Sequence, residues 1–150
     1  MAKTKKALIH GASVLILAVL LSSAASATAR AEVVVIGNKG GPVSTMTEKQ
    51  VNDIYLGKVA NLPDGSPVEF VDLPADDPVR NEFYEKVTGK DASQIKAYWA
   101  KRVFTGKGTP PEIKPSESAV VRWVAGGSGR IGYVSAGAVD GSVRVLLRRQ

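Results

Sequence analysis

The sequence predicts an α/β domain in which helices cover a mainly parallel sheet. Three observations lead there. Short apolar runs rich in β-branched residues, "EVVVIG" at 32–37 and "RIGYVS" at 130–135, read as strands, the first as one buried on both faces. Between them lie stretches with polar caps and apolar residues at helical spacing. The order is strand, helix, strand, several helices, strand, strand, and no linker divides it.

In chain order, the first 31 residues stand apart. Lys3, Lys5 and Lys6 precede "ALIHGASVLILAVLL" at 7–21, and Ala29-Arg30-Ala31 precedes Glu32. A basic start, a short apolar run and an A-x-A site make a secretory signal peptide, expected to be cleaved between Ala31 and Glu32. Ala25-Ser26-Ala27 offers an alternative cut after Ala27. The run is shorter than the ~20 apolar residues of a membrane span and contains His10 and Gly11. No cysteine follows it, so a lipoprotein anchor is excluded. The expected product is a periplasmic chain of one domain, 32–150, with no membrane span after cleavage.

Strand 32–37 leads into "NKGGPVST" at 38–45, a loop by its Gly-Gly-Pro. Thr47 and Gln50 then form a capping box, with Met46 and Val51 spaced as a hydrophobic staple and Gly57 as the stop. "NLPDGSP" is a turn and "VEFVD" at 68–72 a second strand. Asp77 caps a helix with Pro78 at its first position, Val79, Phe83 and Val87 on its inner stripe, and Gly89 closing it. Asp91 and Gln94 open the next helix with a second capping box, and Ile95, Tyr98, Trp99, Arg102 and Val103 form its stripe and edges. "TGKGTPPEIKP" at 105–115 is a long exposed loop, Ser116 caps a helix through Val124, "AGGSG" turns the chain, and "SVRVLL" is the last strand.

Composition excludes much chemistry. Loss of 1–31 removes Lys3, Lys5, Lys6 and Arg30, leaving 16 of the 20 basic residues against 14 acidic, net +2. The high isoelectric point is therefore mostly a targeting feature, and no nucleic-acid partner is expected. There is no cysteine, and the single histidine, His10, lies in the signal. Thiol catalysis, Ser–His–Asp triads and ordinary zinc or copper sites lose their ligands and bases. Neither an enzyme, a cofactor nor a bound metal is expected.

Three stretches could still carry a ligand. "AGGSGR" at 125–130 follows a helix and precedes a strand, the reverse of a phosphate loop, and reads as a cap and turn. Asp72, Asp76 and Asp77 cluster at a strand-to-helix corner, where they could do acid–base work or hold a hard cation. A helix cap and solvated loop charges explain Asp76 and Asp77 without any function, and this is the favoured reading. The loop 38–45 leaves the first strand for a helix start, the place where open α/β sheets bind ligands, and gathers Lys39, Ser44 and Thr45. With Asp77 and Arg80 from the corner, these are the candidate ligand-binding residues. Tyr98 and Trp99 share one helical stripe and read as packing.

"TEKQVNDIYLGKVANLPDGSPVEFVD", "VRNEFYEKVTG", "YWAKRVFTGKGTPPE" and "GRIGYVSAGAV" together resemble short phosphate ABC-transporter-like periplasmic binding proteins. These are type II, PBP-like domains akin to the second lobe of the Pst-system phosphate receptor, and the resemblance spans nearly all of 32–150. Leu62 stands where that family commonly has Trp. The resemblance implies a single lobe of a type II periplasmic-binding-protein fold, a binding or accessory role toward a small oxyanion, and an ABC-transporter or other envelope protein as partner. It also implies an Arg followed by Ser-Gly-Thr at a helix start, all donating to phosphate. Those positions fall on Leu73, Asp77, Pro78 and Val79, so all four donors are replaced. The alternative is an interaction module, because a lone lobe exposes the face that meets its partner lobe.

Overall fold

The computed structural model describes residues 31–149, so the expected signal peptide, but for Ala31, lies outside the described residues. Val33–Asn38 (β1) is an apolar interior strand of the sheet, with Val33 to Gly37 all buried. Thr47 caps Glu48–Tyr55 (α1) through the expected box with Gln50. Glu69–Asp72 (β2) leads to Pro78–Thr88 (α2), which ends at Gly89 with φ 69°, a left-handed cap that suits glycine. Ala92–Phe104 (α3) opens on the Asp91–Gln94 box. Glu112–Ile113 (β3) is a two-residue edge strand inside the stretch expected to be loop. Glu117–Ala125 (α4), Arg130–Ser135 (β4), a 3-10 turn at Ala136–Ala138 and Val143–Arg149 (β5) complete the chain.

The α/β class holds, but the sheet is mixed rather than mainly parallel. Its order is β3-β2-β4-β1-β5. β2 pairs in parallel with β3 and β4, over short registers, whereas β1 runs antiparallel to both β4 and β5 over longer ones. β1 is inserted between β4 and β5, which point the same way, so its single direction makes both of its pairings antiparallel. A strand buried on both faces loses its alternation whichever way its neighbours run, so the apolar run of β1 could not reveal its direction.

The core joins β1 and β4 to the inner faces of the helices: Val51 and Ile54 from α1, Phe83 and Val87 from α2, Ile95 and Trp99 from α3, Val120 and Val124 from α4. α4 lies so close to β4 that a Cβ on Gly132 would come within 2.5 Å of Val120 Cγ1. Among the described residues, no helix is long and apolar enough to cross a membrane.

Candidate functional site

β2 ends in a charge that the fold has enclosed. Asp72 is 3% exposed and is the only buried charged side chain among the described residues. One carboxylate oxygen, Oδ1, accepts from the Leu73 N–H at 2.9 Å and from the Tyr133 hydroxyl. The other, Oδ2, accepts from Arg80 Nε at 3.1 Å and from the Tyr84 hydroxyl at 2.9 Å. Arg80 and Tyr84 are four residues apart on α2 and so share a face, while Tyr133 comes from β4, the neighbour of β2. The Arg80 guanidinium also stands 4.9 Å from the centroid of the Tyr84 ring.

An aromatic wall shields Asp72 from water. Tyr133 stacks on Phe83 with centroids 3.9 Å apart, and Tyr55 meets Phe83 edge-on at 4.7 Å. The Tyr55 hydroxyl donates to the Val71 carbonyl at 3.1 Å. Burial first, and the Asp72 charge second, raise the ionisation of Tyr55, Tyr84 and Tyr133 well above 10.0. Tyr84 and Tyr133 therefore stay protonated and keep donating to Asp72. Four donors fill both oxygens, so Asp72 is neither an open base nor a cation ligand. The expected three-carboxylate cluster is thereby corrected: the protein folds Asp72 inward, and Asp76 is exposed. Among the described residues, no group of three or more His, Cys, Asp or Glu is placed to hold a metal.

Asp77 does what its position in the sequence implies. It caps α2 by accepting from the Val79 N–H at 2.8 Å, and Pro78 has no N–H to offer. The positive end of α2 already faces a carboxylate of its own chain.

The five candidate ligand residues divide between the two ends of the sheet. Asp77 and Arg80 sit beyond the C-terminal end of β2. Lys39, Ser44 and Thr45 are exposed beyond the C-terminal end of β1. Because β1 opposes β4 while β2 parallels it, that end of β1 lies where β2 begins: Gly37 and Phe70 both pair with Ile131. The rule that ligands gather at strand C-termini assumes parallel strands and fails here. Loop 38–45 instead borders a cleft of about 470 Å³ lined by Gly40, Pro42, Glu69 and Ser128. The "AGGSGR" run is structural: α4 ends at Gly126, and Arg130 donates to the Trp123 carbonyl at 3.0 Å.

Beside Arg80 lies a larger cleft of about 480 Å³, between the β2–α2 loop, α3 and the loop before β3. Sequence reasoning missed the partners of Asp72. The available signal was a tyrosine inside an apolar strand, Tyr133, facing an Arg80–Tyr84 pair at helical spacing.

No family model matches the sequence, and no curated protein matches it. Solved structures do. An assigned phosphate ABC transporter substrate-binding protein from Clostridium perfringens, with bound phosphate, is 25% identical with a TM-score of 0.62, over 77% of this chain and 45% of its own. An ABC-type phosphate transport receptor from Vibrio cholerae is 21% identical with a TM-score of 0.60, over 77% and 46%. PstS from Borrelia burgdorferi is 13% identical with a TM-score of 0.58, over 77% and 47%. The fold is that of one lobe of a phosphate-receptor-type binding protein. This PBP-like lobe spans less than half the length of the proteins it matches. The similar structures are substrate-binding proteins.

Proposed function

We propose that this PBP-like lobe is exported to the periplasm with loss of residues 1–31 and has a non-catalytic binding or accessory role toward phosphate or another oxyanion. The observation that carries the reading is the match of 77% of the chain to a protein solved with phosphate bound. The corner at α2 points to weak binding. Of the four positions where the resemblance expects phosphate donors, Leu73 is fully buried and offers no side chain to a ligand. Asp77 occupies the helix end, Pro78 lacks its N–H, and Val79 gives its N–H to Asp77. An ABC transporter or another envelope protein would be the partner of such a lobe.

Titration calorimetry and thermal unfolding with phosphate and with sulfate test this reading. The expected result is millimolar or weaker binding, about −4 kcal/mol, and a small rise in Tm at saturating anion. No shift with either anion would remove the oxyanion role, and submicromolar binding would refute the closed corner.

A second reading, an interaction module, has its own support. Phe104 is 91% exposed at the end of α3, beside half-exposed Val103, and Ile113 is exposed on edge strand β3. Concentration-dependent size-exclusion behaviour that is lost in Phe104→Ser would favour it.

A further inference from the structure

The cleft of about 480 Å³ beside Arg80 meets the closed corner only through that residue. We propose that it binds a small organic monoanion, a carboxylate carried on an apolar body. The inference rests on the reading of the chain as a binding lobe and goes beyond it in the class of ligand. Most of the accessible wall is apolar, from Ala75, Ala92, Pro110 and the edge of Trp99, which suits a hydrocarbon body better than inorganic phosphate. Two cations, Arg80 and Lys96, and the Ser93 hydroxyl also line it.

The charge balance sets the valence. Arg80 gives only Nε to Asp72, which leaves its terminal nitrogens as donors, and the two charges of that pair cancel. Lys96 is exposed and has no ion pair among the described residues, so the cleft carries about one net positive charge. Trp99 adds a further sign of an absent acceptor. It is 7% exposed, and its indole N–H has no hydrogen-bond partner among the described residues.

The chain has two tryptophans, so Trp123→Phe leaves Trp99 as a sole reporter inside the cleft. Fluorescence titration with phenylacetate, 2-phenylethanol and inorganic phosphate tests the proposal, and calorimetry on the unsubstituted chain repeats the comparison. Phenylacetate should give a saturable change, with the neutral alcohol at least about tenfold weaker. Lys96→Gln should weaken phenylacetate about three- to tenfold, and Lys96→Arg should retain it. Lys96 is exposed, so neither change threatens the fold. No saturable response, an equal response to the alcohol, or an unchanged Lys96→Gln would overturn the proposal. A response to phosphate alone would overturn it while leaving the oxyanion reading intact. A response to phenylacetate alone would support it and count against phosphate as the ligand.

Discussion

Replacing Asp72 with alanine should remove more stability than any other single truncation of a charged side chain among the described residues. The carboxylate accepts from Arg80, Tyr84, Tyr133 and the Leu73 N–H, and the substitution leaves all four donors without it. The Leu73 N–H keeps the Tyr133 hydroxyl at 3.2 Å as a second acceptor, so three donors lose their partner, and at about 1–3 kcal/mol each they give a ceiling of roughly 3–9. Relaxation lowers that figure. Arg80 can swing its guanidinium into the neighbouring cleft, and water can enter the space vacated by the carboxylate. The expected loss is therefore about 3–5 kcal/mol, the usual result of breaking a buried ion pair. For the described residues 31–149, 149 − 30 = 119 in number, the whole stability is roughly 6–18 kcal/mol, so the loss is a large share. Equilibrium urea unfolding reads it as a fall in midpoint at unchanged slope. The double variant Asp72→Ala/Arg80→Met should be more stable than Asp72→Ala by about 1–3 kcal/mol, since no unpaired charge is left. A loss below about 1 kcal/mol in Asp72→Ala, or a double variant worse than the single, would refute the enclosed-pair account.

Three other predictions follow from the same geometry and from the sequence. Asp77→Ala should lose about 1 kcal/mol of stability in urea, and an unmoved midpoint would mean that Asp77 is not acting as the cap. Tyr55, Tyr84 and Tyr133 have ionisations raised above 10.0 in the folded state, so the unfolded chain gives up their protons first as the solution turns alkaline. Their contribution is whole below about pH 10 and is lost as pH rises through the folded values, at up to about 1.4 kcal/mol per pH unit for each ring. Urea midpoints flat from about pH 9 to 11 would contradict this. The chain recovered from a periplasmic fraction should begin at Glu32 by intact mass, and a mass that retains residues 1–31 would remove the export reading.

Local signals were the legible part of the sequence. The capping boxes at Thr47 and Asp91 and the caps at Asp77 and Ser116 are each made within a few residues, and the structure forms them all. Strand direction was not legible, because β1 owes its antiparallel setting to β4 and β5, about 100 residues further along the chain. The burial of Asp72 was hidden for the same reason. Its partners Arg80 and Tyr84 follow 8 and 12 residues on, but Tyr133 lies 61 residues away, and only the folded sheet brings them to one carboxylate. The Asp77 cap was readable from six letters, and the Asp72 pair only from the folded sheet.

These two carboxylates, five residues apart, divide the functions of the corner. Asp77 satisfies the end of α2 from outside, and Asp72 holds Arg80 from within. A receptor needs donors left free until an anion arrives, because a donor already bonded must first be released. At the helix end Asp77 takes the Val79 N–H, and Pro78 has none to offer. Arg80 differs, since Asp72 uses one edge of its guanidinium and leaves the other facing the cleft. A fork fixed at one edge is pre-organised at the other, with less side-chain entropy to lose when a carboxylate docks. The charge that closes the helix corner to phosphate thus leaves the better-ordered donor a short distance away, against an apolar wall. If this lobe holds a small anion, the Arg80 side of α2 is the better-equipped place for it, and the helix end is not.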